Sequence, residues 1–137
     1  MTEFLVVAAA VAGFIAVAVG AFGAHALRAK LPEERMANLD LAVRYLFFHV
    51  PALLALAWLS TICGGELFEK LAAWAFVLGL VAFSGSLMTL ALSGNKRWGA
   101  VTPVGGVLLL IGWVFLGFAA IATAQTSAGI SHVLVSC

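Results

Sequence analysis

The sequence predicts an all-α integral membrane protein that folds as a four-transmembrane-helix bundle. Of its 137 residues, 64% are hydrophobic and 9% are charged, whereas soluble domains average about 25% charged residues. Four stretches are apolar over the roughly 20 residues that a bilayer-crossing helix needs. Their hydrophobicity is continuous and does not alternate, which favours helices over barrel strands. The predicted spans are 4–24, 45–63, 71–92 and 100–123, within one domain (1–124) that is followed by a tail (125–137).

Charge and cysteine content exclude several other classes of protein. The chain has 7 Lys and Arg against 6 Asp and Glu, a net charge of +1, so no strong positive field is present to attract a nucleic acid. Its two cysteines, Cys63 and Cys137, are far apart in the sequence and belong to no ligand cluster. We therefore expect no zinc site, no disulfide framework and no nucleic-acid partner.

The first span ends in Ala24-His25-Ala26, which has the form of a signal-peptide cleavage site. The segment before the span carries Glu3 and no Lys or Arg. Its apolar run also exceeds the usual signal-peptide core of about 7–15 residues. We therefore expect a transmembrane helix here.

The first connection has the pattern of a helix start. Pro32 suits the first helical position, and the two glutamates after it suit the first turn. The pattern predicts an amphipathic helix that leads into span two, with Asp40 and Arg44 paired across one turn. A bend is expected near Pro51.

Lys and Arg are unevenly distributed between the connections. The first and third connections carry six of the seven, the second carries Lys70, and the two ends of the chain carry none. Because cytoplasmic loops are enriched in these residues, loops one and three are predicted to face the cytoplasm. Both termini are then predicted to lie outside.

Small residues recur along single faces of several spans, as they do where membrane helices approach closely. They follow helical spacing from Ala9 to Ala24 and again from Ala75 to Thr89. The positions predicted to pack helices are Gly13, Gly20, Ala24, Gly79, Gly85, Gly105 and Gly106. Such faces serve packing inside the bundle, contact with another copy or a partner, or both.

Polar residues that are able to take part in binding or catalysis are predicted to gather at the cytoplasmic side. Measured by depth along the spans, this candidate polar cluster comprises His25, Arg28, Arg44, Tyr45, His49, Ser84, Ser86, Thr102 and Pro103. Ionisable residues inside a membrane are functional candidates. The structural alternative is that the arginines reach lipid headgroups and the other residues bond to helix backbones.

Three chemistries would use residues of this cluster. A haem held by His25 and His49 is disfavoured, since no second pair of histidines exists in the spans. A metal site would lack a carboxylate or thiol partner. Nucleophilic catalysis by Ser84 or Ser86 with His49 would lack an orienting acid. We therefore predict no cofactor and no catalytic residue.

Four motifs carry a family resemblance across nearly the whole chain. They are GAFGAHAL at 20–27, Arg44-Tyr45 followed by His49, FSGSL at 83–87 and TPVGG at 102–106. With these motifs the chain resembles the YgdD-like family of small inner-membrane proteins of unknown function, whose animal relatives are called transmembrane protein 256. Met88 stands where relatives often have Tyr, and the tail extends past the usual end. The resemblance implies four helices in a bacterial inner membrane, with no known reaction or cofactor.

Two functions remain open at this stage. The first is a non-enzymatic accessory or assembly subunit of a larger membrane complex, in contact with lipids and with other subunits or a second copy of itself. Its basis is the small size, the lack of catalytic groups and the small-residue faces. The second is a self-contained binding protein or oligomeric carrier that takes a lipid, quinone or small anion at the polar cluster, in a cavity bounded by His49, Ser86 and Thr102.

Overall fold

Four long helices form the fold. The computed structural model describes residues 1–62 and 66–130, with the backbone alone for residue 24 and residues 127–130. The helices are α1 (Thr2–Phe22), α2 (Glu33–Leu59), α3 (Glu66–Ser93) and α4 (Thr102–Ile130). A π-helical turn, Gly23–Leu27, follows α1, and a 3-10 turn, Lys96–Ala100, precedes α4. Each of the four helices is long and apolar enough to cross a membrane, which confirms the predicted fold class.

Helix α2 unites the predicted amphipathic helix and span two in 27 continuous residues. Pro32 lies just before the helix, and its carbonyl accepts the first backbone hydrogen bonds. The helix continues through Pro51. Asp40 does not pair with Arg44 as predicted but lies 3.7 Å from Arg28, because the turn after α1 places Arg28 beside the first turns of α2.

Helices α3 and α4 are both longer than the predicted spans. Helix α3 begins at Glu66, five residues before the predicted start. Helix α4 continues to Ile130, so that residues 125–130 of the predicted tail are helical. The remaining tail, residues 131–137, lies outside the described residues.

The helices pack as an antiparallel series in chain order. Helix α1 packs on α2, α2 on α3 and α3 on α4, whereas α2 meets α4 over a short stretch. Leu5, Leu53, Phe76 and Leu109, one from each helix, are buried in the shared core. Helices α1 and α3 both pack on α2, and a groove lies between them with Leu46 and Leu53 of α2 in its lining.

Two of the predicted glycine positions, Gly79 and Gly105, lie at close helix contacts. A Cβ added at Gly79 would lie 2.7 Å from Cδ2 of Leu109, and one at Gly105 would collide with the backbone of Phe83. The contacts of α1 with α2 are looser, with a Cβ at Gly20 placed 3.4 Å from Val43. Gly13 and Gly106 would make ordinary contacts at 3.7 Å, with Val50 and the Phe83 ring.

Two predicted packing positions, Gly85 and Ala24, differ from the others. A Cβ at Gly85 would meet no atom within 4 Å among the described residues, so this glycine packs no helix within the bundle. It lines the groove between α1 and α3 instead. The side chain of Ala24 lies outside the described part of the chain.

Candidate functional site

The nine residues of the predicted polar cluster lie in several separate places. His25, Arg28, Arg44 and Pro103 are exposed, whereas His49, Ser84 and Ser86 are buried inside the bundle. Tyr45 and Thr102 are half-buried. The residues of the predicted cluster therefore differ both in depth along the bundle and in the direction that they face.

His49 connects α2 to α4 through a side-chain hydrogen bond. Its Nδ1 lies 2.8 Å from the carbonyl oxygen of Tyr45, one turn earlier on α2. The indole nitrogen of Trp113 donates to Nε2 of His49 at 3.2 Å. A carbonyl only accepts and an indole only donates, so these partners assign the neutral imidazole with its proton on Nδ1. The ring of Phe76 packs edge-on against both His49 and Trp113.

The two membrane histidines do not share a site. Gly23 of the turn after α1 lies against Leu39, whereas Gly13 lies against Val50. His25 is thus near the level of Leu39, and His49 is ten residues further along α2, about 15 Å of helix rise. Among the described residues, no three His, Cys, Asp or Glu side chains come together as a metal site would require.

Ser86 and Thr102 join α3 to the start of α4. Their hydroxyl oxygens are 2.8 Å apart, and Ser86 also lies 3.0 Å from the carbonyl of Phe83. The contact is direct and adjoins the close approach of Gly105 to α3. The pair therefore holds the helices together and leaves no gap between the two hydroxyls for a ligand.

Ser84 is buried in a different position, on the wall of the groove between α1 and α3. The groove is about 370 Å³ and is lined almost entirely by apolar side chains, from Phe4 to Ile15 on α1 and from Val77 to Met88 on α3. Ser84 is 1% exposed, and its hydroxyl has no hydrogen-bond partner among the described residues. The groove is thus apolar, and the Ser84 hydroxyl is buried in its wall.

Three residues that the sequence analysis did not single out have clear roles or unusual environments. Arg35 of α2 donates from Nε to the carbonyl of Ala91 at 2.6 Å and from its guanidinium to the carbonyl of Leu92. The last turn of α3 has no basic residue of its own. Because the last carbonyls of a helix need hydrogen-bond donors, a donor from another helix could have been expected there. No sequence pattern indicates the role of Trp113, because it resembles the other apolar residues of span four.

The third of these residues is Glu69, in the first turns of α3, which is 5% exposed. The predicted spans place it in the connection between spans two and three. Helical spacing would have identified it, since Glu69 shares the buried face of α3 with Ala72, Ala73 and Phe76.

Comparison with known proteins adds family membership to this geometry. A family model described as "Protein of unknown function (DUF423)" matches residues 19–106, which include His49, Glu69, Ser84, Ser86 and Thr102. The chain belongs to the DUF423 family. The matched range ends before Trp113 and begins after the α1 side of the groove.

Relatives of this DUF423 protein are named as membrane proteins. The chain is 38% identical to the UPF0382 inner membrane protein YgdD of Escherichia coli (strain K12), over 96% of this chain and 98% of the relative. It is 34% identical to the UPF0382 membrane protein YwdK of Bacillus subtilis (strain 168), over 87% and 97% of the two chains. No solved structure matches the chain. Family and fold agree on a small, four-helix membrane protein.

Proposed function

We propose that this DUF423 protein is a non-enzymatic accessory or assembly subunit of a larger membrane complex. The observation that carries the proposal is the groove between α1 and α3, which receives one transmembrane helix of a partner subunit. The occupant has a narrow face of small residues and one hydroxyl or amide side chain at the level of Ser84.

The shape of the groove favours a helix. Its α1 wall extends from Phe4 to Ile15, which is about 17 Å of helix rise. The opposite wall contains Gly85, where a Cβ would meet nothing within 4 Å among the described residues. A glycine in a wall lets a second helix backbone approach closely, as in the small-residue contacts common between membrane helices.

The free hydroxyl of Ser84 distinguishes a helix from an acyl chain. A buried hydroxyl without a partner costs free energy, and a hydrocarbon tail offers neither a donor nor an acceptor. A polar side chain on a partner helix supplies both, and such bonds between helices are worth about 1 kcal/mol in membranes.

The polar residues support a structural role over catalysis or anion binding. Both ring nitrogens of His49 are used, by Tyr45 and Trp113, so this histidine offers no free base to a serine. Ser86 and Thr102 bond to each other. An uncharged amphiphile such as a quinone, with its carbonyl at Ser84, is the competing occupant.

Photo-crosslinking in native membranes tests the proposal. A photoreactive residue at Val81, exposed on the groove wall, should crosslink to one protein at fixed stoichiometry. The same group at Val114, exposed on α4 away from the groove, should not. Gly85→Leu should abolish the crosslink, whereas Gly117→Leu, at a glycine that also faces open space, should preserve it.

Native mass spectrometry of the gently extracted protein gives the second readout. Retention of one partner chain, lost in Gly85→Leu and kept in Gly117→Leu, supports the subunit role. Emergence of the protein alone, with crosslinks from Val81 only to lipid, contradicts it. A retained small molecule that Ser84→Ala releases would assign the groove to the competing amphiphile.

A further inference from the structure

Glu69 is a buried carboxyl at the end of the bundle where α2 meets α3. It lies in the first turns of α3 and is 5% exposed. Its helix face is the one that carries Ala72, Ala73 and Phe76 into the core. The carboxyl therefore points into the bundle and away from solvent, at the end opposite to Arg35 and the loop-three segment.

The polar surroundings of Glu69 come from the end of α2. The Ser60 hydroxyl lies near the carboxyl and donates to the carbonyl of Leu56 at 3.0 Å. Oxygen Oε1 of Glu69 has no hydrogen-bond partner among the described residues. The α3–α4 register places buried Ala119 opposite Glu69, with buried Thr123 one turn further along α4.

The charged groups near this end do not neutralise Glu69. On its own helix, Lys70 pairs with Glu66 at 3.1 Å, and both side chains are mainly exposed. Helix α1 contributes Glu3, which is exposed. The part of α2 beyond Arg44 and the whole of α4 carry no Lys, Arg, Asp or Glu. Among the described residues, the cationic side chain at this end is thus already engaged by a neighbouring carboxylate, and the α-ammonium of Met1 precedes α1 at the same end.

We propose that Glu69 is a proton-binding site, in which the carboxyl holds a proton in the apolar interior and exchanges it with the aqueous phase at the α2–α3 end. An unpaired ionised carboxylate is costly in such surroundings, and protonation removes that cost. The protonated group can donate to Ser60, while its second oxygen needs no cation. Proton binding at Glu69 is independent of any partner in the α1–α3 groove.

The chemistry of an apolar carbodiimide makes this site detectable. Dicyclohexylcarbodiimide partitions into membranes and reacts with protonated carboxyls. The carboxyl oxygen adds to the central carbon of the reagent, and the carboxyl proton goes to one of its nitrogens. The acyl group then migrates from oxygen to nitrogen and leaves a stable N-acylurea. The product contains the whole reagent, so nothing is oxidised and no group is lost.

The experiment treats the full-length protein in lipid nanodiscs at neutral pH and locates the adduct by peptide mass spectrometry. We expect one adduct at Glu69, none in Glu69→Gln, and full labelling in Glu66→Gln, the matched control one turn away. A water-soluble carbodiimide with an added amine should show the reverse preference and label exposed Glu66 and Glu3.

Two further measurements keep the proposal falsifiable if Glu69→Gln folds poorly. Glu69→Asp keeps the carboxyl and should still form the adduct, and infrared spectroscopy of the wild-type protein should show a protonated carboxyl band that Glu69→Gln lacks. Absence of both the adduct and the band overturns the proposal. Glu69 would then act only as a hydrogen-bond acceptor at the start of α3.

Discussion

Trp113 of α4 donates a hydrogen bond to His49 of α2, and this bond uses the last free nitrogen of a buried imidazole. Helices α2 and α4 are far apart in the chain and meet only over a short stretch. The bond therefore fixes their relative rotation at a point where there is little other packing. It also leaves neither ring nitrogen of His49 available for acid–base chemistry.

Replacement of Trp113 by Phe should destabilise the bundle. The substitution keeps an aromatic ring beside Phe76 but leaves Nε2 of His49 without its donor. We expect a loss of about 1 kcal/mol in the free energy of unfolding, the usual worth of a hydrogen bond between membrane helices. Unfolding in mixed detergent micelles measures it. Trp58→Phe, at a tryptophan that is 65% exposed, is the control and should change little.

The Arg35 contacts predict a second stability effect. Arg35→Ala removes both donors from the last carbonyls of α3, so the end of that helix should fray. We expect the free energy of unfolding to fall by about 1.5 kcal/mol, the lower end of the range for a hydrogen bond to a charged group, because the site is partly exposed. Hydrogen exchange should rise over residues 88–93. Arg44→Ala, at an exposed arginine on the same helix, should leave that exchange unchanged.

Gly105 predicts a steric effect. A Cβ there would collide with the backbone of Phe83, which cannot move as the end of a side chain can. Gly105→Ala should force α3 and α4 apart and cost about 1–3 kcal/mol, as overpacking does in cores. Gly117→Ala adds the same methyl group where nothing lies within 4 Å of it among the described residues. Equal stability of the two variants would contradict the close contact.

The distribution of Lys and Arg predicts the orientation in the membrane. In a background of Cys63→Ser and Cys137→Ser, Thr61→Cys and Lys96→Cys place single thiols at exposed positions at opposite ends of the bundle. A membrane-impermeant maleimide should label Thr61→Cys in intact cells and Lys96→Cys only after permeabilisation. The reverse pattern would place loops one and three outside.

The sequence predicted the four helices well because each span is long and almost free of charge. It predicted close contacts at Gly79 and Gly105 because small residues on one face of a membrane helix let a neighbouring helix backbone approach closely. Gly85 shows the limit of that reasoning. The same small residue faces a groove, and only the arrangement of the neighbouring helices distinguishes the two cases.

The candidate site was less predictable because the depth of a residue along a span does not determine the direction in which its side chain points. Counting from Tyr45 placed His49 near the end of span two, close to His25. Helix α2 begins at Glu33, however, and its first turns lie beside the end of α1. His49 is therefore about 24 Å along its helix, and its partner Trp113 comes from a span that looked uniformly apolar.

The contacts of Arg35 also limit how this bundle can move. Its side chain joins the first turn of α2 to the final carbonyls of α3, beside the left-handed turn at Gly94 with φ of 71°. A piston-like shift of α3 by one turn, about 5.4 Å, would strip both bonds together and carry the turn away from the guanidinium. Tilting or rotation of α3 about this end would not break the two Arg35 hydrogen bonds. The Arg35 bonds therefore restrict sliding between α2 and α3 more than they restrict a change in the angle between the two helices.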